Sequence, residues 1–274
     1  MDIVFFGSSS YVLPLLETLN SQFHLKLVVT TEKNPHEPII KFCQENTISC
    51  VSTTTLATDE IQSTLRDQQA NVAVLASFGL IIPQEVIDIF PKGIVNLHPS
   101  FLPNYRGSTP IQAAIRNGDK ETAVSIMLLD QEVDHGPLLA QVPLEISEED
   151  TSESLYKKAF AIGADKLIDI LPSYVAGNLS LRPQDHSKAT FTTPLTRDSG
   201  HIDATNPPAN LSYLVRAYYP WPGVWTTMNL FGKEKKVKLL PKGMLLVEGK
   251  KPMSKKDFIN GYPQTKKVVE QLDF

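Results

Sequence analysis

The chain has 274 residues, of which 42 % are apolar, and its formal net charge at pH 7 is −4. This length and composition allow a large hydrophobic core, expected as one main domain with a smaller one. Cys43 and Cys50 form no C-x-x-C motif, and neither they nor the six histidines show ligand spacing. The sequence therefore predicts no disulfide framework and no metal site, and it favours a reduced, cytoplasmic compartment.

The amino-terminal half of the chain alternates short apolar runs with amphipathic segments. Because predicted strands and helices alternate, the fold class is α/β, with a doubly wound and mostly parallel sheet. The first apolar run stops at Gly7 after four apolar residues, so we expect neither a signal peptide nor a membrane span there. The strands of this half are predicted at residues 3–6, 25–29, 49–52 and 72–76.

The most informative stretch contains two further predicted strands and the loops that follow them. The first strand begins at residue 94, ends before Pro99 and carries both Asn96 and His98, whose i, i+2 spacing places the two side chains on one face. The second, over residues 124–129, leads into a loop that holds Asp134. We therefore expect an amide, an imidazole and a carboxylate to gather near strand ends, where open α/β sheets place their sites.

These three side chains suit acyl transfer to a nucleophile that the substrate provides. Asn96 and His98 can donate hydrogen bonds to an oxyanion, and Asp134 can orient and charge the imidazole or relay the proton lost by an attacking amine. No protein nucleophile is indicated, because the sequence has no G-x-S-x-G motif and neither cysteine has a plausible partner. From spacing alone, a satisfied pair of buried polar residues stays open as the alternative.

The same stretch reads N-L-H-P-S-F-L-P-N-Y-R-G-S-T-P-I-Q-A-A-I-R-N-G-D-K-E-T-A-V-S-I-M-L-L-D-Q-E-V-D-H-G. It closely resembles the core of the 10-formyltetrahydrofolate-dependent formyltransferases. The resemblance implies that Asn96, His98 and Asp134 are catalytic. It also implies that the co-substrate 10-formyltetrahydrofolate is bound by two loops and one acidic residue, namely Phe78, Gly79, Leu80, Ser100, Phe101, Leu102, Pro103 and Asp130.

The carboxyl-terminal third is predicted to form a separate domain. A capping-box pattern, Asp150-Thr151-Ser152-Glu153, begins a long helix whose end is predicted at Pro172 and Gly177, and a polar, proline-containing stretch follows. The segment Y-P-W-P-G-V-W, at residues 219–225, resembles the start of the small β-barrel in those family members that formylate methionyl initiator tRNA. The predicted boundaries are a catalytic domain over residues 1–180, a linker over 181–194 and a short, β-barrel-like (OB-like) domain over 195–274.

The sign of the charge changes between these parts. Residues 1–180 hold 11 basic and 22 acidic residues, a net charge of −11, whereas residues 181–274 hold 15 basic and 8 acidic residues, a net charge of +7. Such asymmetry favours a polyanionic partner, although a solvated lysine-rich face is the alternative. The tRNA-binding candidates are Arg106, Lys233, Lys235 and Lys236.

Several features depart from the family pattern. A long basic loop usually follows the second strand, whereas Thr30 to Pro38 has two acidic residues and one lysine here, and the carboxyl-terminal domain is short. His135 follows Asp134 where a threonine is common. We expect a solvent-facing loop histidine there, with an additional donor at the site as the alternative.

The leading hypothesis is a monomeric, cytoplasmic enzyme that transfers the formyl group of 10-formyltetrahydrofolate to the amine of methionyl initiator tRNA. A sugar-nucleotide N-formyltransferase with the same donor and the same Asn-His-Asp site is the rival, which the short segment at 30–38 favours. The second class of function is a non-catalytic RNA-binding protein with the same fold. The presence of Asn96, His98 and Asp134 together argues against that class.

Overall fold

The computed structural model describes residues 1–31 and 38–274. Most of the segment 30–38, on which the tRNA and sugar hypotheses differ, therefore lies outside the described residues. Contacts divide the chain into two compact units. The first comprises residues 1–110, 121–145 and 156–192, and the second comprises residues 111–120, 146–155 and 193–274.

The first unit contains a mostly parallel sheet. Its strands among the described residues are β1 (Asp2–Phe6), β2 (His24–Thr31), β3 (Ser49–Thr53), β4 (Val72–Leu75), β5 (Ile94–His98), β6 (Glu121–Leu128) and β7 (Leu138–Glu145). They lie in the order β3-β2-β1-β4-β5-β6-β7. The pairs from β3 to β5 are parallel, whereas β6 is antiparallel to β5 and to β7. The strand order reverses between β1 and β4, which confirms the predicted doubly wound, mostly parallel fold.

Helices cover this sheet because each carries an apolar stripe. In α1, Leu15, Leu16 and Leu19 are fully buried, at the i, i+1, i+4 spacing of one helix face. The central strands are buried on both faces, as their unbroken apolar sequences predict. The helices of this unit are α1 (Leu13–Gln22), α2 (Pro38–Glu45), α3 (Asp59–Asp67), α4 (Gln84–Ile87) and the part of α6 (Ser152–Val175) from Tyr156 onward.

The end of α6 lies where the sequence predicts it, between Pro172 and Gly177, because the helix runs to Val175. A proline removes only its own N–H donor, and its carbonyl oxygen still accepts a helical bond. That oxygen accepts from the Ala176 N–H at 3.0 Å. The helix therefore ends only near Gly177, whose φ of +79° lies in the left-handed region typical of helix ends.

The second unit contains an antiparallel sheet in the order β11-β10-β9-β8, formed by β8 (Val224–Leu230), β9 (Lys233–Leu240), β10 (Met244–Val247) and β11 (Met253–Ser254). Phe231 and Gly232 have φ values of +54° and +77°, as in the two-residue turns that join antiparallel strands. The helices are α5 (Pro110–Asn117), apart from its first residue, and α7 (Leu211–Ala217), α8 (Lys255–Gly261) and α9 (Lys266–Gln271). No helix among the described residues is long and apolar enough to cross a membrane.

Residues 181–192 differ from the expected linker, because hydrogen bonds hold them to the first unit. The main chains of Arg182 and Leu138 exchange two hydrogen bonds, at 2.8 and 2.9 Å. The Arg106 N–H donates to the Thr190 carbonyl oxygen, and the Arg106 carbonyl oxygen accepts from the Thr192 N–H, both at 2.8 Å. We call residues 181–192 the strap.

Gly163 allows α6 to lie close against β5 and β6. A Cβ atom at this position would lie 2.9 Å from both Leu97 Cδ2 and Val124 Cγ1, which is too short for a van der Waals contact. We predict that Gly163→Val lowers the free energy of unfolding by about 1–3 kcal/mol, because overpacking forces the helix away from the sheet. Urea denaturation of the whole chain measures this change.

The matched control is Gly261→Ala in α8, where a Cβ atom would meet no other atom within 4 Å. This variant is expected to be as stable as the original chain or slightly more so, because alanine has the higher helix propensity. Equal unfolding midpoints for the two variants would contradict the close packing of α6.

Candidate active site

Three predicted residues meet in the first unit. Asn96 and His98 lie on one face of β5 and are each only 5 % exposed. Asp134 lies in the loop after β6, with its side chain 12 % exposed. Asn96 Nδ2 donates to Asp134 Oδ1 at 3.2 Å, and His98 Nδ1 lies 3.4 Å from Asp134 Oδ2. The structure thus brings together the amide, the imidazole and the carboxylate.

The route by which they meet differs from the expected one. Because β6 is antiparallel to β5, Leu128 at the carboxyl end of β6 pairs with Val95, near the amino end of β5. The loop after Leu128 must therefore run back along β5 before Asp134 reaches Asn96 and His98. The site is built by a returning loop rather than by two strand ends at one edge.

Asp134 is also held by the loop between β5 and α5. The main-chain N–H of Gly107 donates to Asp134 Oδ2 at 2.7 Å, a short, charge-assisted hydrogen bond. Gly107 has a φ of +107°, and a Cβ atom there would lie 2.7 Å from Thr192 Oγ1, so this position favours glycine. Asp134 itself has a φ of +49°, which costs an L-residue about 1 kcal/mol, although aspartate tolerates it well.

The ring of His98 faces an acceptor on each side. His98 Nε2 lies 2.9 Å from the carbonyl oxygen of Tyr105, and Nδ1 faces Asp134 Oδ2. A carbonyl oxygen and a carboxylate both accept hydrogen bonds, so a ring with a proton on each nitrogen can donate to both. Asn96 has two N–H donors in its amide, of which one is directed to Asp134.

The three residues line a cavity of about 490 Å³ in the first unit. This volume lies within the roughly 300–1,000 Å³ range of small-molecule sites. Two other walls are turns at the carboxyl ends of β1 and β4, where doubly wound sheets bind ligands. The cavity residues outside β5 come mainly from these turns, the loop after β6 and α6: Ser8, Ser9, Ser77, Phe78, Gly79, Leu80, Ile81, Ile82, Leu129, Asp130, Asp134, Tyr156 and Phe160.

The predicted folate residues divide into two groups. Phe78, Gly79, Leu80 and Asp130 line the cavity, whereas none of its described wall residues comes from the segment 100–103 (Ser100, Phe101, Leu102 and Pro103). That segment makes hydrogen bonds that support the loop: Ser100 Oγ donates to the Asn104 carbonyl oxygen at 2.6 Å, and the Leu102 N–H donates to Ser125 Oγ at 3.2 Å.

The predicted tRNA-binding residues also divide. Arg106 is only 3 % exposed, and its Nη2 donates to Gln184 Oε1 at 2.7 Å and to His186 Nδ1 at 2.9 Å. In this conformation the guanidinium is covered and bonded to Gln184 and His186, so it is not accessible to a polyanion. Lys233 and Lys235 are exposed on β9. Lys236 is half-buried, with Nζ 3.6 Å from the centroid of the Trp225 ring.

Sequence reasoning missed the contacts made by the strap. Gln184 donates to the carbonyl oxygens of Asp134 and Gly136, at 2.9 and 2.7 Å. The rings of His186 and His135 stack with centroids 3.8 Å apart, and His135 Nδ1 lies 2.6 Å from Asp130 Oδ2. His135 is therefore a partly covered member of the loop rather than a solvent-facing residue. No sequence motif signals the contacts of Gln184 and His186, because they join residues about 50 positions apart.

Among residues 1–31 and 38–274, no three histidine, cysteine, aspartate or glutamate side chains are grouped as metal ligands would be.

The chain belongs to the formyltransferase family. Residues 3–171 match the family described as formyl transferase, and residues 194–245 match the formyl transferase C-terminal domain. Among curated relatives, the methionyl-tRNA formyltransferase of Roseiflexus castenholzii is 38 % identical over 235 residues, which cover 82 % of this chain and 75 % of that protein.

Solved structures show the same fold. A sugar N-formyltransferase from a Shewanella species superposes with a TM-score of 0.67 at 18 % identity, covering 88 % of this chain and 96 % of that chain. HypX from Aquifex aeolicus, in complex with tetrahydrofolic acid, superposes with a TM-score of 0.62 at 16 % identity, covering 87 % of this chain and 37 % of that chain.

Asp134→Asn is expected to remove most formyl transfer, with kcat lower by about 100-fold. An asparagine offers one oxygen, so its NH₂ group would face a donor, either the Asn96 amide or the Gly107 N–H. Steady-state turnover, measured beside thermal unfolding, tests this expectation.

The control is Asp203→Asn in the second unit, where Asp203 Oδ1 accepts from the Thr205 N–H at 2.8 Å and from Thr205 Oγ1 at 2.7 Å. Turnover of this variant should match that of the original chain. If the Asp134→Asn variant kept more than about a third of the turnover of the original chain, the convergence of donors on this carboxylate would have no role in turnover.

Proposed function

We propose that this protein transfers the formyl group of 10-formyltetrahydrofolate to the α-amine of methionyl initiator tRNA. The main support is the 38 % identity to a methionyl-tRNA formyltransferase over 82 % of the chain. The cluster of Asn96, His98 and Asp134 in a cavity of ligand size gives the proposal its chemistry.

The cavity fits a folate in size and character. Leu80, Ile82 and Leu129 provide apolar walls for a flat heterocycle, and the turn after β4 provides main-chain groups for its polar edge. This turn is fixed in place, because Ser8 Oγ donates to the Phe78 carbonyl oxygen at 2.7 Å. Asp130 Oδ2 is paired with His135 and Oδ1 accepts from the Glu132 N–H, so we propose Asp130 as a wall residue whose carboxylate is already oriented.

The folate supplies an activated formyl group, and the amine of the methionyl group attacks its carbon. Negative charge then develops on the formyl oxygen. When this intermediate collapses, the bond from the formyl carbon to the folate nitrogen breaks, and tetrahydrofolate leaves with a proton on that nitrogen. Asn96 can donate its second amide N–H to that oxygen without giving up its bond to Asp134. His98 stabilises the same charge through its ring, but donation from Nε2 requires exchange of the bond to the Tyr105 carbonyl oxygen.

Asp134 has two tasks in this proposal. It accepts hydrogen bonds from Asn96 and Gly107 and faces His98 Nδ1, so it fixes both oxyanion donors relative to one another. It also lies beside the ring nitrogen, where it supports a proton on Nδ1 and helps to remove the proton that the amine loses. The chain's residues thus position the donor, stabilise charge and accept a proton.

The second unit is proposed to contact the tRNA. Lys233 and Lys235 are exposed on β9 and Lys236 lies beside them, in the part of the chain with a net charge of +7. We propose that the four-stranded sheet corresponds to a short barrel-like domain and that residues 195–274 act as an RNA-binding module. The complete proposal is a monomeric, cytoplasmic enzyme of translation initiation.

The first experiment measures formyl transfer from 10-formyltetrahydrofolate to methionyl initiator tRNA and, separately, to a 4-amino-sugar nucleotide, at two salt concentrations. Transfer to the tRNA that weakens at higher salt is expected, since contacts between lysines and phosphates release counterions. Transfer to the sugar nucleotide alone would contradict the proposed partner and favour the rival reaction.

His98→Ala is expected to fold normally and to lose more than about 100-fold in transfer rate, on the scale of one oxyanion or acid–base group. Single-turnover kinetics with saturating folate separate this loss from substrate binding. Near-normal turnover in the variant would rule out the mechanism while leaving the substrates open.

A further inference from the structure

Gln184 of the strap joins the two loops that carry the candidate active site. It is only 6 % exposed. Its Nε2 donates to the carbonyl oxygens of Asp134 and Gly136, at 2.9 and 2.7 Å, and its Oε1 accepts from Arg106 Nη2 at 2.7 Å. Both N–H groups and the oxygen of its amide are therefore engaged with residues of the site loops.

Arg106 lies between the two main-chain groups that hold the catalytic side chains. The carbonyl oxygen of Tyr105 accepts from His98, and the N–H of Gly107 donates to Asp134. Because Arg106 is bonded to Gln184, one side chain fixes both this loop and the loop of Asp134. The distance between His98 and Asp134 thus depends on a residue that touches neither side chain.

From this arrangement we propose that Gln184 is a positioning residue for the formyl-transfer reaction, which acts by holding the main chain of Asp134. The inference rests on the proposed function. Asp134 has a φ of +49°, so its loop needs fixed partners to keep the carboxylate directed at Asn96 and Gly107. Gln184 supplies those partners through the Asp134 and Gly136 carbonyl oxygens.

Gln184 is itself held in place. The Arg182 main chain, two residues before it, is paired with Leu138. One residue after it, Asp185 caps a short turn by accepting from Ser187 and Lys188, and these two bonds lower the pKa of Asp185 to about 2. The capping carboxylate is therefore ionised at neutral pH and is available to both of these donors.

The substitution Gln184→Met removes the amide but keeps the length and volume of the side chain. We expect kcat to fall about 30-fold, because a small displacement of the catalytic carboxylate has a large effect on rate, whereas KM for the folate should change less than about twofold. The pH dependence of kcat should also change, because the contact between His98 and Asp134 is altered. A purely structural role would lower the active fraction and leave the pH profile intact.

The matched control is Gln68→Met at the end of α3. Gln68 Nε2 also donates to a main-chain carbonyl oxygen at 2.9 Å, that of Thr64, but it lies away from the cavity. Its turnover and pH profile should equal those of the original chain. Equal losses in the two variants would assign the effect to stability and overturn the proposal.

A double-mutant cycle tests whether Gln184 acts through Asp134. In the Asp134→Asn background, Gln184→Met should lower kcat by less than about threefold, since the group that it positions is already lost. The same loss, about 30-fold, in both backgrounds would overturn the proposal, because independent effects multiply.

Hydrogen–deuterium exchange gives a readout that does not need activity. Gln184→Met should speed exchange in the peptides around residues 104–107 and 134–136 and leave the β1–β4 strands unchanged. Unchanged exchange in those peptides would overturn the positioning role even if no substrate were found. If the original chain showed no formyl transfer but Gln184→Met altered hydrogen–deuterium exchange as expected, the result would count against the proposed function alone.

Discussion

The arrangement of the candidate active site depends on one carboxylate that is only 12 % exposed. Asp134 receives a main-chain N–H from Gly107 and a side-chain N–H from Asn96, and it faces a ring nitrogen of His98. A carboxylate with so little exposure is costly unless its oxygens are hydrogen-bonded. The same contacts that offset this cost also fix the relative positions of two oxyanion donors. Both stability and catalysis therefore require the loop to hold Asp134 beside Asn96, Gly107 and His98.

The reversal of strand direction after β5 determines how the chain brings Asp134 to this position. With β6 antiparallel to β5, its carboxyl end lies beside Val95, and the chain has to return along β5 to bring Asp134 to His98. A returning loop has no ladder of its own and must be held from outside. The strap provides this support through Gln184, which explains why residues 181–192 are bonded to the first unit rather than free as a linker.

Much of this could be predicted from the sequence, and the exceptions have physical reasons. The alternation of apolar runs predicted the doubly wound sheet, and the i, i+2 spacing of Asn96 and His98 predicted their shared face, because both depend on local periodicity. The burial of Arg106 and the role of the strap were not predicted. They depend on contacts between residues roughly 50 to 80 positions apart, for which single-sequence patterns carry no signal.

The segment from Ser100 to Pro103 illustrates the same limit. Ser100 to Pro103 are expected at the ligand, and in the structure Ser100 and Leu102 also make hydrogen bonds that support the loop carrying Tyr105 and Gly107. Motif resemblance places such residues near a site without telling whether they touch a ligand or hold those that do.

The two tryptophans of the chain, Trp221 and Trp225, both lie in the second unit. Trp221 is 52 % exposed, whereas the ring of Trp225 lies beneath the Lys236 ammonium group and its Nε1 donates to the Arg197 carbonyl oxygen. Intrinsic tryptophan emission therefore reports on the second unit, and no tryptophan is among the described residues that line the cavity. An anion that draws the Lys236 ammonium group away from the Trp225 ring is expected to change the tryptophan fluorescence. Binding at the proposed RNA-binding face can therefore be followed by fluorescence without an added label.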